Sequence, residues 1–138
     1  MAILDVFNVS GSGMAAQSLR LNTTASNIAN AESVAADPAD TYRARYPIFQ
    51  ASLDSAMDGN NASNAVSVPG IIESDKPLNI RYEPDHPFAN DDGYVAYPNV
   101  NVVEEMANMI SASRSFQLNV EVLNTAKTLA ERVLSIGQ

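Results

Sequence analysis

The sequence predicts an α+β chain in which two long terminal α-helices form an antiparallel coiled-coil pair around a small β-rich, partly irregular middle segment. Three observations carry this. All seven prolines of the 138 residues (Pro38, Pro47, Pro69, Pro77, Pro84, Pro87, Pro98) lie between 38 and 98. Proline breaks helix interiors, so the Pro-free flanks are the helical candidates. Charge divides at nearly the same places: residues 32–100 hold 11 acids against 4 bases, the rest 5 against 4. Both flanks also repeat their apolar residues at helical spacing. Three parts follow: 1–34, the N-terminal helix; 35–98, a Pro-rich acidic β/loop segment; 99–138, the C-terminal helix.

In the first flank Phe7, Met14, Leu21 and Ile28 recur every seven residues. Leu4, Gly11, Ser18 and Ala25 recur at the same interval and are mostly small. Together they alternate three and four apart, which puts them on one stripe that a partner helix could approach closely. Asp5 is placed to cap the start of a helix reaching about Asn30. Its intrinsic preference is poor, since Gly11, Gly13, Thr23, Thr24 and several Ser and Asn residues disfavour helix. The expectation is a helix that is frayed or disordered until it packs.

The second flank starts at Asn101, with Glu104 three residues later in a capping-box arrangement. Glu104 and Glu105 suit the positive end of the helix dipole, Lys127 and Arg132 the negative end, and Gly137 a stop. The expected seam is Val102, Met106, Met109, Ser113, Phe116, Val120, Leu123, Lys127, Ala130 and Leu134. The outer positions of both helices are largely Ser, Asn, Thr, Ala and Gln. Low-charge surface helices would look like this, and so would helices enclosed by other subunits, where an unpaired charge is costly.

Between the flanks, short β-prone pieces cover Arg43–Gln50, Val66–Ser74, Asn79–Glu83 and Tyr94–Tyr97. Asp91-Asp92-Gly93 is a turn signal, and the polar stretch Asp54–Asn64 reads as a mobile loop.

Composition excludes several classes of function. A net charge of −8 leaves no basic face for nucleic acid. With no Cys and only His86, one chain offers neither a thiolate site nor a multi-histidine one. His86, in Pro84-Asp85-His86-Pro87, reads as a solvated loop residue. Ser10-Gly11-Ser12-Gly13 lacks the Lys and spacing of a phosphate loop, and Asp58-Gly59-Asn60-Asn61 has Pro69 where a calcium loop needs its bidentate Glu. The pairs Asp91-Asp92 and Glu104-Glu105 fit a turn and a helix start better than a catalytic dyad. No apolar run approaches a membrane span, and the first ten residues do not read as a secretory signal.

Specific stretches then carry a resemblance. Ala16-Gln17-Ser18-Leu19-Arg20-Leu21 followed by Ala25-Ser26-Asn27-Ile28-Ala29-Asn30-Ala31 resembles the N-terminal signature of bacterial flagellar rod and hook proteins. Thr41-Tyr42-Arg43 and Pro47-Ile48-Phe49 fit the segment that follows it. The run from Pro98 and Asn99 through Glu104-Glu105-Met106, and on through Ser113-Arg114-Ser115-Phe116-Gln117 to Asn124, resembles the matching C-terminal signature. The motif positions carried over are Gln17, Arg20, Ser26, Asn27, Asn30, Tyr42, Arg43, Asn99, Glu105, Ser113, Arg114, Gln117 and Asn124. The link Glu32–Asp40 departs from the family pattern, having Pro38 and no Gly.

The resemblance implies a non-enzymatic building block of the flagellar basal-body rod, a helical drive shaft crossing the periplasm. It implies partners among other rod proteins and copies of the chain itself in a helical assembly, together with the type III export apparatus and basal-body components. It implies no cofactor or metal, no nucleic acid, no membrane insertion, and export without a cleaved signal. Subunit packing is then expected from Leu4, Phe7, Met14, Leu21 and Ile28 against Val102, Met106, Met109, Phe116, Val120, Leu123 and Leu134. Alternatives are another axial subunit, a type III secretion filament component, or a soluble coiled-coil adaptor.

Overall fold

A computed structural model describes residues 3–51 and 65–136. It contains helix α1 (Ile3–Ala29), strands β1 (Arg45–Ala51), β2 (Val66–Glu73), β3 (Asn79–Tyr82) and β4 (Tyr94–Tyr97), and helix α2 (Val102–Ile136). The chain is therefore α+β, with all described strands in the middle. The stretch Asp54–Asn64 and the stop at Gly137 lie outside the described residues.

Local chemistry sets the helix ends. Helix α1 begins ahead of Asp5, which sits in its first turn rather than at its cap. At the other end Asn30 donates its side-chain amide to the Ser26 carbonyl at 2.8 Å, satisfying a carbonyl the ending helix leaves open. The link departs as a short 3-10 turn, Pro38–Asp40, whose Asp37 carboxyl accepts from the Ala39 N–H at 2.8 Å. Helix α2 is capped by Asn101, whose Oδ1 accepts from the N–H groups of Val103 and Glu104.

The helices run antiparallel along each other. Gly13 lies against Asn119, Arg20 bonds Asn108, and Asn27 bonds Glu105, so rising numbers in α1 meet falling numbers in α2. The residues between them are small or polar. Ser10, Ala16, Thr23, Thr24 and Asn27 are buried on α1, and Glu105, Ala112 and Ala126 on α2. A Cβ on Gly13 would stand 3.0 Å from Asn119 Nδ2, so glycine permits the close approach there.

Strands β1 and β2 pair antiparallel as a two-stranded ribbon with a register shift between Ile48 and Gln50. Asn27 holds the ribbon near the end of α1, and the Val66 N–H donates to Ser12 Oγ at 3.1 Å fifteen residues back. The ribbon thus lies along α1, spanning roughly 22 Å of helix. Strands β3 and β4 form a separate two-stranded sheet. Between them the chain turns at Gly93 (φ +80°), where Asn90 Oδ1 accepts from the N–H groups of Asp92 and Tyr94. The turn expected at Asp91-Asp92-Gly93 is therefore fastened by the residue before it. Among the described residues, one small cluster of buried apolar side chains joins Ala31, Ala44 and Val100, backed by Tyr42 and Tyr46.

Candidate assembly interface

Two asparagines join the three parts of the chain. Asn27, 1% exposed, uses its whole hydrogen-bonding capacity. Its Nδ2 donates to the Arg45 carbonyl and to Glu105 Oε2, both at 2.9 Å. Its Oδ1 accepts from the Tyr42 hydroxyl at 2.8 Å and the Arg45 N–H at 2.9 Å. Asn99 works the same way on the far side of Ala44. Its Oδ1 accepts from the Ala44 N–H at 2.8 Å, and its Nδ2 donates to the carbonyls of Ser74 and Lys76. Arg43 donates to the same two carbonyls at 3.3 Å. The short run Tyr42–Arg45 is thus held by Asn27 of α1 and by Asn99, which lies just ahead of α2, because its backbone groups are met by side-chain amides that mimic peptide groups.

Glu105 is the buried centre of this junction, also 1% exposed. Besides Asn27 it accepts from Asn108 Nδ2 at 3.3 Å, and Asn108 accepts from Arg20 at 3.1 Å. The Tyr46 hydroxyl lies near it too. Burial, then the nearby Glu105 carboxyl, push the Tyr46 hydroxyl up to about 12. At the edge of the link, Arg81 forms an ion pair with Glu32 at 3.1 Å and lies 4.2 Å from the Tyr97 ring centre. The Glu32 carboxylate holds the Arg81 guanidinium above its ordinary value.

The motif residues divide by position. Arg20, Asn27, Tyr42, Arg43, Asn99 and Glu105 converge on the junction, and Ser26 Oγ lies 3.3 Å from the Tyr42 hydroxyl. Asn30 caps α1 instead of reaching across. Gln17 buries its Oε1, which has no hydrogen-bond partner among the described residues. Ser113 is half-buried, while Arg114, Gln117 and Asn124 are exposed on α2. His86 closes a loop, its Nδ1 accepting from the Phe88 N–H at 3.1 Å. The roles of Glu105, Asn108, Asn119 and Gly13 were not drawn from the sequence. A signal existed: Glu105, Ala112, Asn119 and Ala126 are spaced by sevens, as are Gly13, Arg20 and Asn27.

The apolar stripes lie beside this polar seam. Phe7, Met14, Leu21 and Ile28 are half-buried, as are Met109, Phe116, Val120 and Leu123. Val102, Met106 and Leu134 are exposed; the side chain of Leu4 lies outside the described set. Small residues occupy the contact line because they allow closer helix approach, which turns the bulky neighbours toward its flank. On the other flank of α2, Leu118, Val122, Val133 and Ile136 are exposed. Val6 borders a groove of about 420 Å³ with Leu118, Val122 and Leu129. No described helix is long and apolar enough to cross a membrane. Apolar surface on this scale, on both flanks of one helix, marks an interaction site.

The family model described as "Flagella basal body rod protein" matches residues 7–34, and "Flagellar basal body rod FlgEFG protein C-terminal" matches 91–136. These matches fall on the two helices and take in Asn27, Asn99 and Glu105 of the junction, while Tyr42–Arg45 lies between them. The flagellar basal-body rod protein FlgC of Salmonella typhimurium is 49% identical over 138 residues, covering all of both chains. The chain belongs to the FlgC family of flagellar basal-body rod proteins. FlgC of Escherichia coli O6:H1 is also 49% identical, and FlgC of Bacillus subtilis 33% identical over an alignment of 150 residues, again covering both chains in full. The FlgC relatives thus span the acidic middle as well as the helices.

Proposed function

We infer that this chain polymerises through its two terminal helices into the proximal part of the flagellar rod. It is a structural subunit of the bacterial flagellar basal-body rod, not an enzyme, in keeping with its FlgC relatives. In this reading residues 1–34 and 99–138 form an antiparallel coiled-coil pair within an inner tube, and 35–98 lie outside it. The seven-residue spacing of seam and stripes supports the pairing. The partners are copies of the chain, other rod proteins and basal-body components. The location is the periplasm, reached through the flagellar type III apparatus without a cleaved signal.

One observation carries the reading: α2 leaves apolar side chains uncovered on both sides of its contact with α1. Neighbouring helices would cover Phe7, Met14, Leu21 and Ile28 with Met109, Phe116 and Val120 on one side, and Leu118 and Val122 on the other. Torque then passes through many close contacts, since densely packed interiors resist compression. A heterologous contact that does not close on itself builds a helix of subunits. The acidic middle would make lateral contacts with adjacent rod proteins or the enclosing machinery. The poor helix formers Gly11 and Gly13 would leave the start of α1 frayed until assembly, while Asn27 holds its end.

The test is a Leu21→Asp strain together with the purified soluble subunit. The variant is expected to reach normal cellular level, abolish motility and yield basal bodies lacking a complete rod. Normal motility at normal level would overturn the reading. Circular dichroism and sedimentation of the parent chain should show a monomer with less helix than the 27 and 35 residues of α1 and α2. A fully helical closed oligomer at micromolar concentration would point to a free-standing adaptor instead.

A further inference from the structure

The geometry points to a docking groove on the outer face of the β3–β4 sheet for an extended segment of another protein, one that alternates bulky aliphatic with basic residues. This rests on the reading that the acidic middle meets neighbours, and it adds what those neighbours must present.

The two faces of this small sheet differ. On one, Val95 and Tyr97 are buried and Arg81 stacks on Tyr97. On the other, Ile80 is 68% exposed, and Tyr82 and Tyr94 meet edge-on, 5.3 Å between ring centres. Beside that face lies a groove of about 710 Å³ bordered by Pro38, Pro77, Ile80, Pro87, Phe88 and Tyr94. Three proline rings fix the backbone of its walls, so the shape exists before anything binds, which lowers the ordering cost. Arg43 also borders it, but its guanidinium is engaged by the Ser74 and Lys76 carbonyls.

Charge selects the occupant. Exposed acids lie within three residues of groove residues in sequence, Asp37 and Asp40 about Pro38, Asp75 before Pro77, Asp85 before Pro87, and Asp91 and Asp92 before Tyr94, while the exposed base Lys76 stands next to Pro77. A second copy would bring 11 acids against 4 bases over 32–100 to the same place, so self-docking is opposed by repulsion. An extended strand points alternate side chains to opposite sides. Aliphatic residues at every second position fill the apolar floor, and the intervening Lys or Arg meet the acids that neighbour the groove residues in sequence.

The experiment uses the full-length soluble chain and three fluorescent ten-residue peptides alternating Ile with Lys, Gln or Glu, read by anisotropy. A benzophenone on each peptide maps the bound site by mass spectrometry. The Ile/Lys peptide is expected to bind at least about tenfold tighter than the Ile/Glu peptide. Its crosslinks should fall on residues 77–96. Ile80→Ser with Phe88→Ser should weaken it about tenfold, through loss of apolar burial. Neutralising Asp37, Asp91 and Asp92 to Asn should weaken the Ile/Lys peptide and leave the Ile/Gln peptide unchanged. Equal binding of the Ile/Glu peptide, crosslinks confined to α1 or α2, or no loss on changing Ile80 and Phe88 would each overturn the proposal. So would self-association that Ile80→Ser abolishes, since it would make a second copy the occupant. Peptide binding does not require rod assembly, so a failure of the helix-face reading shows in motility and a failure of the groove shows here.

Discussion

Replacing Asn27 by Ala tests the junction that ties both helices to the ribbon. Four hydrogen bonds of 2.8–2.9 Å vanish together. Two of the partners keep another contact: the Tyr42 hydroxyl has Ser26 Oγ at 3.3 Å, and Glu105 has Asn108. The N–H and C=O of Arg45 lose the side chain that met both. Each buried polar group left unmet costs about 1–3 kcal/mol. Two peptide groups and the weakened Glu105 contact give about 3–6 kcal/mol, against a total of about 5–15 kcal/mol for an ordinary domain. The assay is urea unfolding of the full-length chain followed by circular dichroism, read as a midpoint shift at unchanged slope. Adding Glu105→Leu should not recover the loss, because the Arg45 groups stay unmet and Asn108 Nδ2 loses its acceptor as well. An Asn27→Ala chain within about 1 kcal/mol of the parent would refute the reasoning, since no orphaned group could then be present.

Further outcomes follow from the same contacts. Gly11→Ala meets nothing within 4 Å, so it should add about 0.5–1 kcal/mol of helix preference and raise the helix signal of the soluble chain. Gly93→Ala should cost about 1 kcal/mol or more by urea unfolding, because φ is +80° and its Cβ would stand 3.0 Å from the Tyr82 ring. The folded chain holds the Tyr46 proton up to about 12, above its ordinary value of 10.0. That contribution to stability is full below pH 10 and is lost as pH rises through 12, so the parent's loss over this window should exceed that of Tyr46→Phe. Breaking the Arg81–Glu32 pair with Glu32→Gln should change stability by less than about 1 kcal/mol, as both side chains are half-exposed or more.

Much of the fold was legible because it depends on local rules. The confinement of proline to 38–98 located both helices, and the cap at Asn101 came from residue type and position. The four β-prone pieces became β1 to β4 with ends shifted by two residues at most. The contact line between the helices was less legible. In the sequence the bulky residues Phe7, Met14, Leu21 and Ile28 form the obvious stripe. The contact line instead runs through buried Ser10, Thr24 and Asn27 and half-buried Gly13, whose small size permits contact that a larger side chain would prevent. Glu105 was read through the helix dipole, a local effect, whereas its neighbours Asn27 and Tyr46 are distant in sequence.

The sequence by itself determined the class of chain, the two helices, the acidic proline-rich middle and the resemblance to flagellar rod and hook proteins. Each depends on composition or on spacing along one element, where the physics is local. The tertiary structure alone decided that Asn27, Tyr42, Arg45, Asn99 and Glu105 meet at one buried junction. It also decided that the ribbon lies along α1 and that β3 and β4 turn an apolar face outward. These arrangements depend on which polar groups find partners once distant segments are brought together. A buried amide or carboxyl gives no sign in the sequence of which backbone it will satisfy.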